Sequence, residues 1–366
     1  MDNKTRVVIS GYYGFDNIGD EAILYTMIKM LKISIPNISI VVLSNNPKMT
    51  EQLYNVKSVN RWNIKCIVQN IKNCDLLISG GGSLLQDVTS IKTIPYYLGI
   101  IKIALMCNKK VVFYSQGIGP INKKINRYLV KNISNKIEHI FVRDTNSKRV
   151  LQSMGVKTPI DVSIDPVFGI QIDENEYSEI KQQLSNKKSV GIYLRPWKNN
   201  NLIINCMSKV ILSLIQDDYE VYMICMQPEQ DIKIAKDVAK RVESNHLKII
   251  EQSLTINKTL SYTANFDFII GMRLHSLIMA VATNTPVIAL SYDPKVENVM
   301  SEMQLHHHIK IDEISPNEIL SQIKYIEQNL ESEVKFIKYI KEERTQDIYI
   351  PIDHIKKILQ EEVDGT

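Results

Sequence analysis

The sequence predicts an α/β fold built from two Rossmann-like halves. Short apolar runs typical of buried strands recur along the chain, and most lead into a polar or glycine-rich turn and then a helical segment. The 366 residues are enough for two domains. A polar and charged stretch, residues 171–188, separates two such series. We therefore expect two parallel-sheet domains joined near the middle of the chain.

The first half contains five predicted strands, at residues 6–10, 38–43, 75–79, 111–114 and 139–142. Four of these strands end in polar or glycine-rich loops. Because the sheet is expected to be parallel, these loops should lie together at its carboxyl edge, where open α/β sheets bind ligands.

The loop after the first strand, residues 11–21, precedes a helix predicted over 22–33. Its glycines do not have the spacing of a dinucleotide fingerprint, and no Walker A lysine follows. Asn17 or Asp20 can cap the helix. A structural turn would account for the glycines. It would not readily account for the aromatic side chains, which suggest a stacking surface for a sugar or another flat ligand: Tyr12, Tyr13 and Phe15.

Two further features of this half each allow two interpretations. The three glycines at 80–82, between a strand and an expected helix, predict either an anion cradle of backbone N–H groups or a tight turn. A basic helix near 123–136 carries Lys123, Arg127 and Lys131 at helical spacing, next to Lys124. A solvated face is its ordinary explanation, and an acidic membrane surface or a diphosphate group is the alternative.

The second half contains predicted strands at 190–194, 221–225, 247–249, 266–270 and 287–290, and the chain is helical from about 316. We predict an N-terminal domain over 1–168, a linker over 169–188 and a second domain over 189–330. Helices over 331–366 are expected to pack back on the first domain. Two Rossmann-like domains facing across a cleft form a GT-B-like architecture.

Cationic side chains follow several strands of the second half. Arg195 follows one predicted strand, Arg273 and His275 follow another, and Lys295 follows the next. Histidine is the side chain that exchanges protons near neutral pH, although a lone histidine at a helix start is more often a capping or packing residue. A helix N-terminus beside these groups favours anions. The pattern predicts a site for a small, strongly anionic ligand that needs proton transfer.

The composition is that of an ordinary soluble protein, with 44% hydrophobic residues, 23% charged residues and a net charge of +4. The charge argues strongly neither for nucleic acid nor for membrane. Five cysteines without CxxC pairing indicate reduced thiols and a cytoplasmic protein, and we expect no signal peptide. The apolar stretch 91–107 is interrupted by charges and a proline, which favours a buried helix. We expect no metal site, because the contiguous histidines at 306–308 lack metal-ligand spacing.

Seven motifs, in order, resemble those of the polysaccharide pyruvyl transferase family. They are GYYGFDNIGDEAIL, ISGGGSLLQDVTS, YSQGIGPI, VRD, DPVF, YLRPW and GMRLHSLIMA. The resemblance covers the chain from Val7 to about Met300 and is greatest to CsaB-type members, which pyruvylate the secondary cell-wall polysaccharide used for S-layer anchoring. The last 60 or so residues carry no matching motif.

The resemblance implies a phosphoenolpyruvate donor and no metal or other cofactor. It implies ketal formation on the 4- and 6-hydroxyls of an N-acetylmannosamine unit in a lipid-diphosphate-linked oligosaccharide, by a cytoplasmic enzyme peripheral to the inner membrane face. Nucleic acid is not an expected partner.

The resemblance also implies roles for individual residues. His275 is the expected catalytic acid. The expected donor-binding residues are Arg195, Arg273 and Lys295. The expected acceptor-binding residues are Tyr13, Phe15, Asn17, Gly81, Ser83, Asp87 and Arg143.

Two other functions stay open at this point. A GT-B glycosyltransferase would use a nucleotide sugar, and Glu297 could then bind the ribose. A non-catalytic wall- or membrane-surface binding protein would not need a titratable histidine between two cations.

Overall fold

The computed structural model describes residues 5–88 and 92–364, which form two compact α/β units. Unit 1 extends to Pro166 and resumes at Gln346, and unit 2 spans Val167–Thr345. The predictions that fall on residues 1–4, 89–91, 365 and 366, including the first residue of the predicted apolar helix, lie outside the described part of the chain.

Unit 1 is built on a parallel sheet with the strand order β3-β2-β1-β4-β6-β7-β8, and β5 pairs with β6. Its strands are β1 (Arg6–Ser10), β2 (Ser39–Ser44), β3 (Lys57–Asn60), β4 (Leu76–Ser79), β5 (Gly82–Leu85), β6 (Lys110–Ile118), β7 (His139–Val142) and β8 (Ile160–Val162). Its helices are α1 (Ile18–Ser34), α2 (Pro47–Tyr54), α3 (Ile64–Lys72), α4 (Thr93–Met106), α5 (Lys124–Ser134), α6 (Thr145–Ser153) and the last helix, α15 (Tyr349–Asp364). The central strands are mostly apolar, as expected where helices cover both faces of a parallel sheet.

Unit 2 repeats this arrangement with the strand order β11-β10-β9-β12-β13-β14. Its strands are β9 (Ser189–Tyr193), β10 (Glu220–Ile224), β11 (Leu247–Ile250), β12 (Phe268–Gly271), β13 (Val287–Ser291) and β14 (His308–Lys310). Its helices are α7 (Glu174–Gln183), α8 (Asn200–Gln216), α9 (Pro228–Val242), α10 (Ile256–Asn265), α11 (Leu274–Ala282), α12 (Pro294–Glu302), α13 (Pro316–Gln328) and α14 (Leu330–Thr345). The pairings in this sheet are parallel.

The strand register places the loops that carry predicted site residues at one edge of each sheet. In unit 1, Ser10 at the end of β1 pairs with Ser79 at the end of β4, and Ser44 pairs with Asn60 at the end of β3. In unit 2, Gly271 at the end of β12 pairs with Tyr193 at the end of β9. Each unit therefore presents one carboxyl edge, which is where an open α/β sheet binds ligands.

Two predicted boundaries differ from the structure. The proposed linker contains α7, whose buried Ile180 and a hydrogen bond from Asn265 Nδ2 to the Tyr177 carbonyl (3.2 Å) join it to α10. The segment 169–188 therefore belongs to unit 2. The C-terminal segment divides, because α14 belongs to unit 2, where Lys341 Nζ donates to the Ala282 carbonyl at 2.6 Å, whereas α15 belongs to unit 1.

Helix α15 is held in unit 1 by one apolar face, and α1 is among the elements that it contacts. Its buried side chains are Ile352, Ile355, Ile358 and Leu359. Within the described residues, no helix combines the length and the apolar character that crossing a membrane requires.

Candidate functional site

The predicted cationic residues of unit 2 lie at the carboxyl edge of three neighbouring strands. Arg195 comes two residues after β9, Arg273 two residues after β12, and Lys295 four residues after β13. β12 pairs with both β9 and β13, and Gly271 is in register with Tyr193 and Ala289. The fold therefore brings to one edge residues that are separated by up to 100 positions in the sequence.

Arg195 is held by aromatic side chains rather than by a carboxylate. Its Nη1 donates to Tyr292 Oη at 2.8 Å, and its guanidinium carbon lies 4.8 Å from the Tyr292 ring centroid and 5.8 Å from that of Trp197. Its buried Nε has no hydrogen-bond partner, and no carboxylate of the described residues lies within 4.0 Å of its guanidinium nitrogens. No carboxylate of the described residues therefore compensates the charge of Arg195, and its role in donor binding stays a prediction.

Arg273 is paired inside the protein. Its Nε donates to Asp231 Oδ2 at 2.8 Å and its Nη2 to Asp231 Oδ1 at 2.5 Å, and both side chains are buried. Asp231 therefore compensates the charge of Arg273, and the role of Arg273 in donor binding stays a prediction. The sequence analysis missed Asp231, which lies 42 residues away in α9 and has no motif around it.

His275 lies half-buried in the first turn of α11. The residue at the N-terminal cap is Arg273, whose side chain makes no capping hydrogen bond, while Ser276 Oγ donates to the Arg273 carbonyl at 2.6 Å. Lys295 lies in the first turn of α12, where Asp293 caps the helix and accepts from the Lys295 N–H at 2.9 Å. Two helix N-termini, each favourable to an anion, therefore follow the adjacent strands β12 and β13.

Tyr13 in unit 1 is a core residue. It is 0% exposed, and a Cβ added to Gly11 or Gly80 would overlap its ring, so these glycines make room for it. Burial, followed by the charge of Asp20, raises the pKa of Tyr13 well above its ordinary value. The prediction that Tyr13 stacks on a sugar is wrong, because no face of the ring reaches solvent.

Phe15 has the exposure that Tyr13 lacks. It is half-buried, and its ring stacks on that of Tyr12 with centroids 4.1 Å apart and planes 5° from parallel. The aromatic loop thus divides into one core ring and two rings at the surface.

The glycine run is followed by a strand and not by a helix. Gly82 begins β5, and the Gly80 N–H donates to the Ser10 carbonyl at 2.7 Å. A Cβ on Gly81 would meet the Ile23 side chain of α1. The predicted helix start after these glycines is wrong. An anion cradle at this position would therefore lack the helix N-terminus that the prediction assumed. Gly81 is explained by close packing.

The other predicted acceptor residues have partners within unit 1. Asn17 caps α1 by accepting from the Gly19 N–H at 3.2 Å. The buried Arg143 donates from Nη2 to Ser83 Oγ at 3.2 Å and lies 3.5 Å from Asp165. These contacts give each residue a structural role, and binding of the acceptor by Asn17, Ser83 or Arg143 stays a prediction.

Asp87 fixes the start of the basic helix. It accepts from the N–H groups of Asn122 and Lys123, both at 2.9 Å, and from Asn126 Nδ2 at 3.0 Å. Desolvation opposes ionisation of Asp87, but these hydrogen bonds outweigh it, and the pKa of Asp87 is lowered. Its role in acceptor binding also stays a prediction.

The sequence analysis missed a second arginine, Arg61, directly after β3. It is buried, and its guanidinium carbon lies 4.4 Å from the Tyr96 ring centroid and 5.0 Å from that of Phe15. The sequence feature that could have revealed Arg61 is the Arg-Trp pair directly after a strand end. Among the described residues, no three His, Cys, Asp or Glu side chains form a group that could hold a metal ion.

Comparison with known proteins decides the family. The model of the polysaccharide pyruvyl transferase family matches residues 17–294. The chain belongs to the polysaccharide pyruvyl transferase family. The predicted family is thus confirmed, the chain is a transferase, and the family points to pyruvyl transfer onto a polysaccharide. The narrower CsaB-type assignment stays a prediction.

A curated relative of this transferase is the amylovoran biosynthesis protein AmsJ of Erwinia amylovora. The two are 20% identical over 311 residues, which cover 79% of this chain and 74% of AmsJ.

Solved structures confirm the GT-B-like α/β fold. Anabaena HepE in complex with UDP-glucose has a TM-score of 0.67 at 13% identity, covering 99% of this chain and 100% of HepE. A UDP-N-acetylglucosamine 2-epimerase from Listeria monocytogenes, described as putative, has a TM-score of 0.68 at 13% identity, covering 92% and 91%. The Escherichia coli ADP-heptose LPS heptosyltransferase II has a TM-score of 0.52 at 13% identity, covering 88% and 98%. At these identities the likeness concerns the fold alone.

Proposed function

We propose that this transferase is a ketal pyruvyltransferase that uses phosphoenolpyruvate to place a pyruvyl ketal on the 4- and 6-hydroxyls of a sugar, N-acetylmannosamine in a CsaB-type enzyme. The acceptor is a lipid-diphosphate-linked precursor of a cell-wall polysaccharide. The observation that carries the proposal is Arg195, a cation that contacts two aromatic rings and pairs with no carboxylate of the described residues. It lies on the same strand edge as His275 and Lys295.

The charges at this edge suit the donor. Phosphoenolpyruvate has a planar carboxylate and a phosphate, and the guanidinium fork of Arg195 matches the carboxylate. Lys295 and the N-termini of α11 and α12 suit the phosphate, since both cations and helix N-termini stabilise phosphate oxygens. The acceptor is assigned to unit 1, where Phe15 and its neighbours offer ring faces.

Proton transfer falls to His275. Protonated His275 gives its proton to the methylene carbon of phosphoenolpyruvate, which leaves positive character on the neighbouring carbon that bears the phosphate oxygen. One sugar hydroxyl adds to that carbon and returns its proton to His275. The bond between that carbon and the phosphate oxygen breaks, and the second hydroxyl adds to the same carbon and gives its proton to the departing phosphate, which closes the ketal. Phosphate leaves with its electron pair, and Lys295 stabilises the developing charge.

Arg273 has a positioning role in this scheme. Its ion pair with Asp231 anchors the residue that begins α11, two positions before His275. The pair thereby holds the first turn of α11 against α9, which fixes the backbone that carries the proton donor.

A lipid-linked acceptor would bring the enzyme to the inner membrane surface, and α5 is the surface that fits. Its exposed side chains combine cations with apolar groups, Lys123, Lys124, Ile125 and Tyr128. Arg127 and Lys131 of the predicted stripe are partly buried beside Ser153 and Gly155. Exposed cations beside apolar side chains suit an anionic bilayer.

The nucleotide-sugar glycosyltransferase is the less favoured function. Its main support is the fold, which is shared by enzymes with different chemistry. Glu297, the candidate for binding a ribose, accepts a hydrogen bond from Ser291 Oγ at 3.3 Å.

The test is to incubate the purified protein with the lipid-linked disaccharide and either phosphoenolpyruvate or a UDP-sugar. We expect phosphate release with phosphoenolpyruvate and no UDP release. Release of UDP with transfer of its sugar, and no phosphate from phosphoenolpyruvate, would overturn the proposal.

A further inference from the structure

A group of aromatic side chains surrounds Arg61 at the carboxyl edge of unit 1. We call Arg61, Tyr12, Phe15, Trp62 and Tyr96 the Arg61 cluster. The guanidinium carbon lies 5.0 Å from the Phe15 centroid, 5.3 Å from that of Trp62 and 4.4 Å from that of Tyr96. The rings of Trp62 and Tyr96 are 5.2 Å apart. Loops after β1 and β3 and the first turn of α4 thus meet around one cation.

Arg61 is an unusual group to find in a protein interior. It is 4% exposed, and no carboxylate in the described part of the chain lies within 4.0 Å of its guanidinium nitrogens. Its Nη1 donates to the Gly11 carbonyl at 2.9 Å and its Nη2 to Tyr97 Oη at 3.3 Å, while its buried Nε has no partner. A buried cation without a carboxylate is costly, and such costs concentrate at functional sites.

Two of the aromatic rings beside this cation are oriented by hydrogen bonds, and part of their surface reaches solvent. Trp62 is 60% exposed, and its Nε1 donates to Asn45 Oδ1 at 3.3 Å, which helps to fix the plane of the indole. Tyr96 is half-buried, and its hydroxyl donates to the Arg61 carbonyl at 3.0 Å. Rings fixed in advance lose little freedom when a ligand binds.

We propose that the Arg61 cluster binds a pyranose ring of the acceptor glycan. One face of a pyranose carries C–H groups polarised by the ring oxygens, and such groups are attracted to the negative face of an aromatic ring. The buried cation holds the rings in place and adds a positive potential that suits electron-rich hydroxyl oxygens. The identity of the glycan, but not the surface itself, rests on the proposed function.

The two tryptophans of the chain provide a direct test, because Trp62 is in unit 1 and Trp197 is in unit 2. Trp197→Phe leaves Trp62 as the only indole reporter. Titration of this variant with a disaccharide that contains N-acetylmannosamine should give a saturable change in tryptophan emission. Trp62→Phe, which leaves Trp197, should show no change with the disaccharide and a change with phosphoenolpyruvate.

A binding and kinetic comparison complements the fluorescence. Trp62→Ala should weaken disaccharide binding at least about fivefold, the lower end of what removal of a stacking ring costs for a flat ligand. It should raise KM for the glycan and leave KM for phosphoenolpyruvate unchanged. Tyr339→Ala, in α14 of unit 2, is the matched control, because Tyr339 is 59% exposed and should affect neither constant.

The outcomes separate this inference from the proposed function. Suppose that phosphoenolpyruvate releases phosphate, but the emission of Trp62 does not respond to the disaccharide and Trp62→Ala binds the disaccharide as the wild type does. This result would overturn the inference and leave the proposed function standing. Disaccharide binding at Trp62 without any use of phosphoenolpyruvate would overturn the proposed function alone. A saturable response of Trp62 emission to UDP would show that the cluster binds a nucleotide. A blue shift of that emission only with anionic vesicles would show that it binds a membrane. Either result would overturn the inference.

Discussion

Asp231 accepts two hydrogen bonds from Arg273, from Nε to Oδ2 at 2.8 Å and from Nη2 to Oδ1 at 2.5 Å. The same carboxylate accepts from the Gln227 N–H at 3.0 Å and so supports the start of α9. One buried carboxylate therefore joins the loops that follow β10 and β12, and the second of these loops leads into His275.

Loss of this carboxylate should destabilise the protein. Asp231→Ala leaves Arg273 buried without its partner, which typically costs about 3–5 kcal/mol of the free energy of unfolding. Urea denaturation measures this, with Asp237→Ala as the control, because Asp237 is only half-buried on the same helix, 3.7 Å from Lys240. A loss no larger than that of the control would show that the ion pair does not hold the site together.

Tyr13 should tolerate phenylalanine but not alanine. Its buried hydroxyl has no hydrogen-bond partner, so Tyr13→Phe should leave the free energy of unfolding unchanged or raise it by about 1 kcal/mol. Tyr13→Ala should cost about 3–5 kcal/mol because it leaves a cavity beside Gly11 and Gly80. Chemical denaturation and glycan KM are measured together. A stable Tyr13→Phe that no longer uses the glycan would restore Tyr13 to the acceptor site.

The sequence alone predicted the central strands of both sheets and the placement of Arg195, His275 and Lys295 after three strand ends. These features depend on local apolar runs and on the parallel sheet, both of which a sequence pattern reports. The sequence analysis missed the short strands β3, β5, β8 and β14, which lie at the sheet edges or off the main strand order. It could not separate Tyr13 from Phe15, because one loop supplies both a core ring and a surface ring. Nor could it find the partner of Arg273, because that ion pair depends on where the sheet places the loops after β10 and β12.

Acid should loosen the docking of α15 in unit 1. Burial, followed by the nearby His139, lowers the pKa of His354. The rings of the two histidines lie 4.2 Å apart. Lys357 adds to the lowering of this pKa, whereas Asp161 and Glu138 raise it. A base with a lowered pKa contributes stability above its unfolded pKa of about 6.5, and that stability is lost as pH falls through this value towards the folded pKa.

The measurement is the melting temperature between about pH 7.5 and about pH 5.5, a window that brackets the unfolded pKa of histidine. His354→Gln should flatten the acid side of the profile, whereas His308→Gln, at an exposed position in unit 2, should not. Identical profiles for all three proteins would remove His354 as the source of the pH dependence.

The basic helix should help the enzyme to bind anionic vesicles. Replacing Lys123, Lys124, Arg127 and Lys131 by alanine should weaken co-sedimentation with such vesicles, by up to about 1 kcal/mol for each cation. The control replaces the exposed Lys335 and Lys338 of α14. Binding that is unchanged in the fourfold variant, and insensitive to salt, would return α5 to an ordinary solvated face.

The central claim is that Arg195 and His275 act on phosphoenolpyruvate, and steady-state phosphate release with the lipid-linked disaccharide tests it most directly. Arg195→Ala should raise KM for phosphoenolpyruvate by roughly 10- to 100-fold, since a charge-assisted contact is worth about 1.5–3 kcal/mol. The exposed neighbour Lys198→Ala is the control. His275→Ala should keep its fold and lose at least about 10²-fold in kcat, as expected for a general acid. A folded His275→Ala with wild-type turnover, or an Arg195→Ala that changes only the KM for the glycan, would contradict the account.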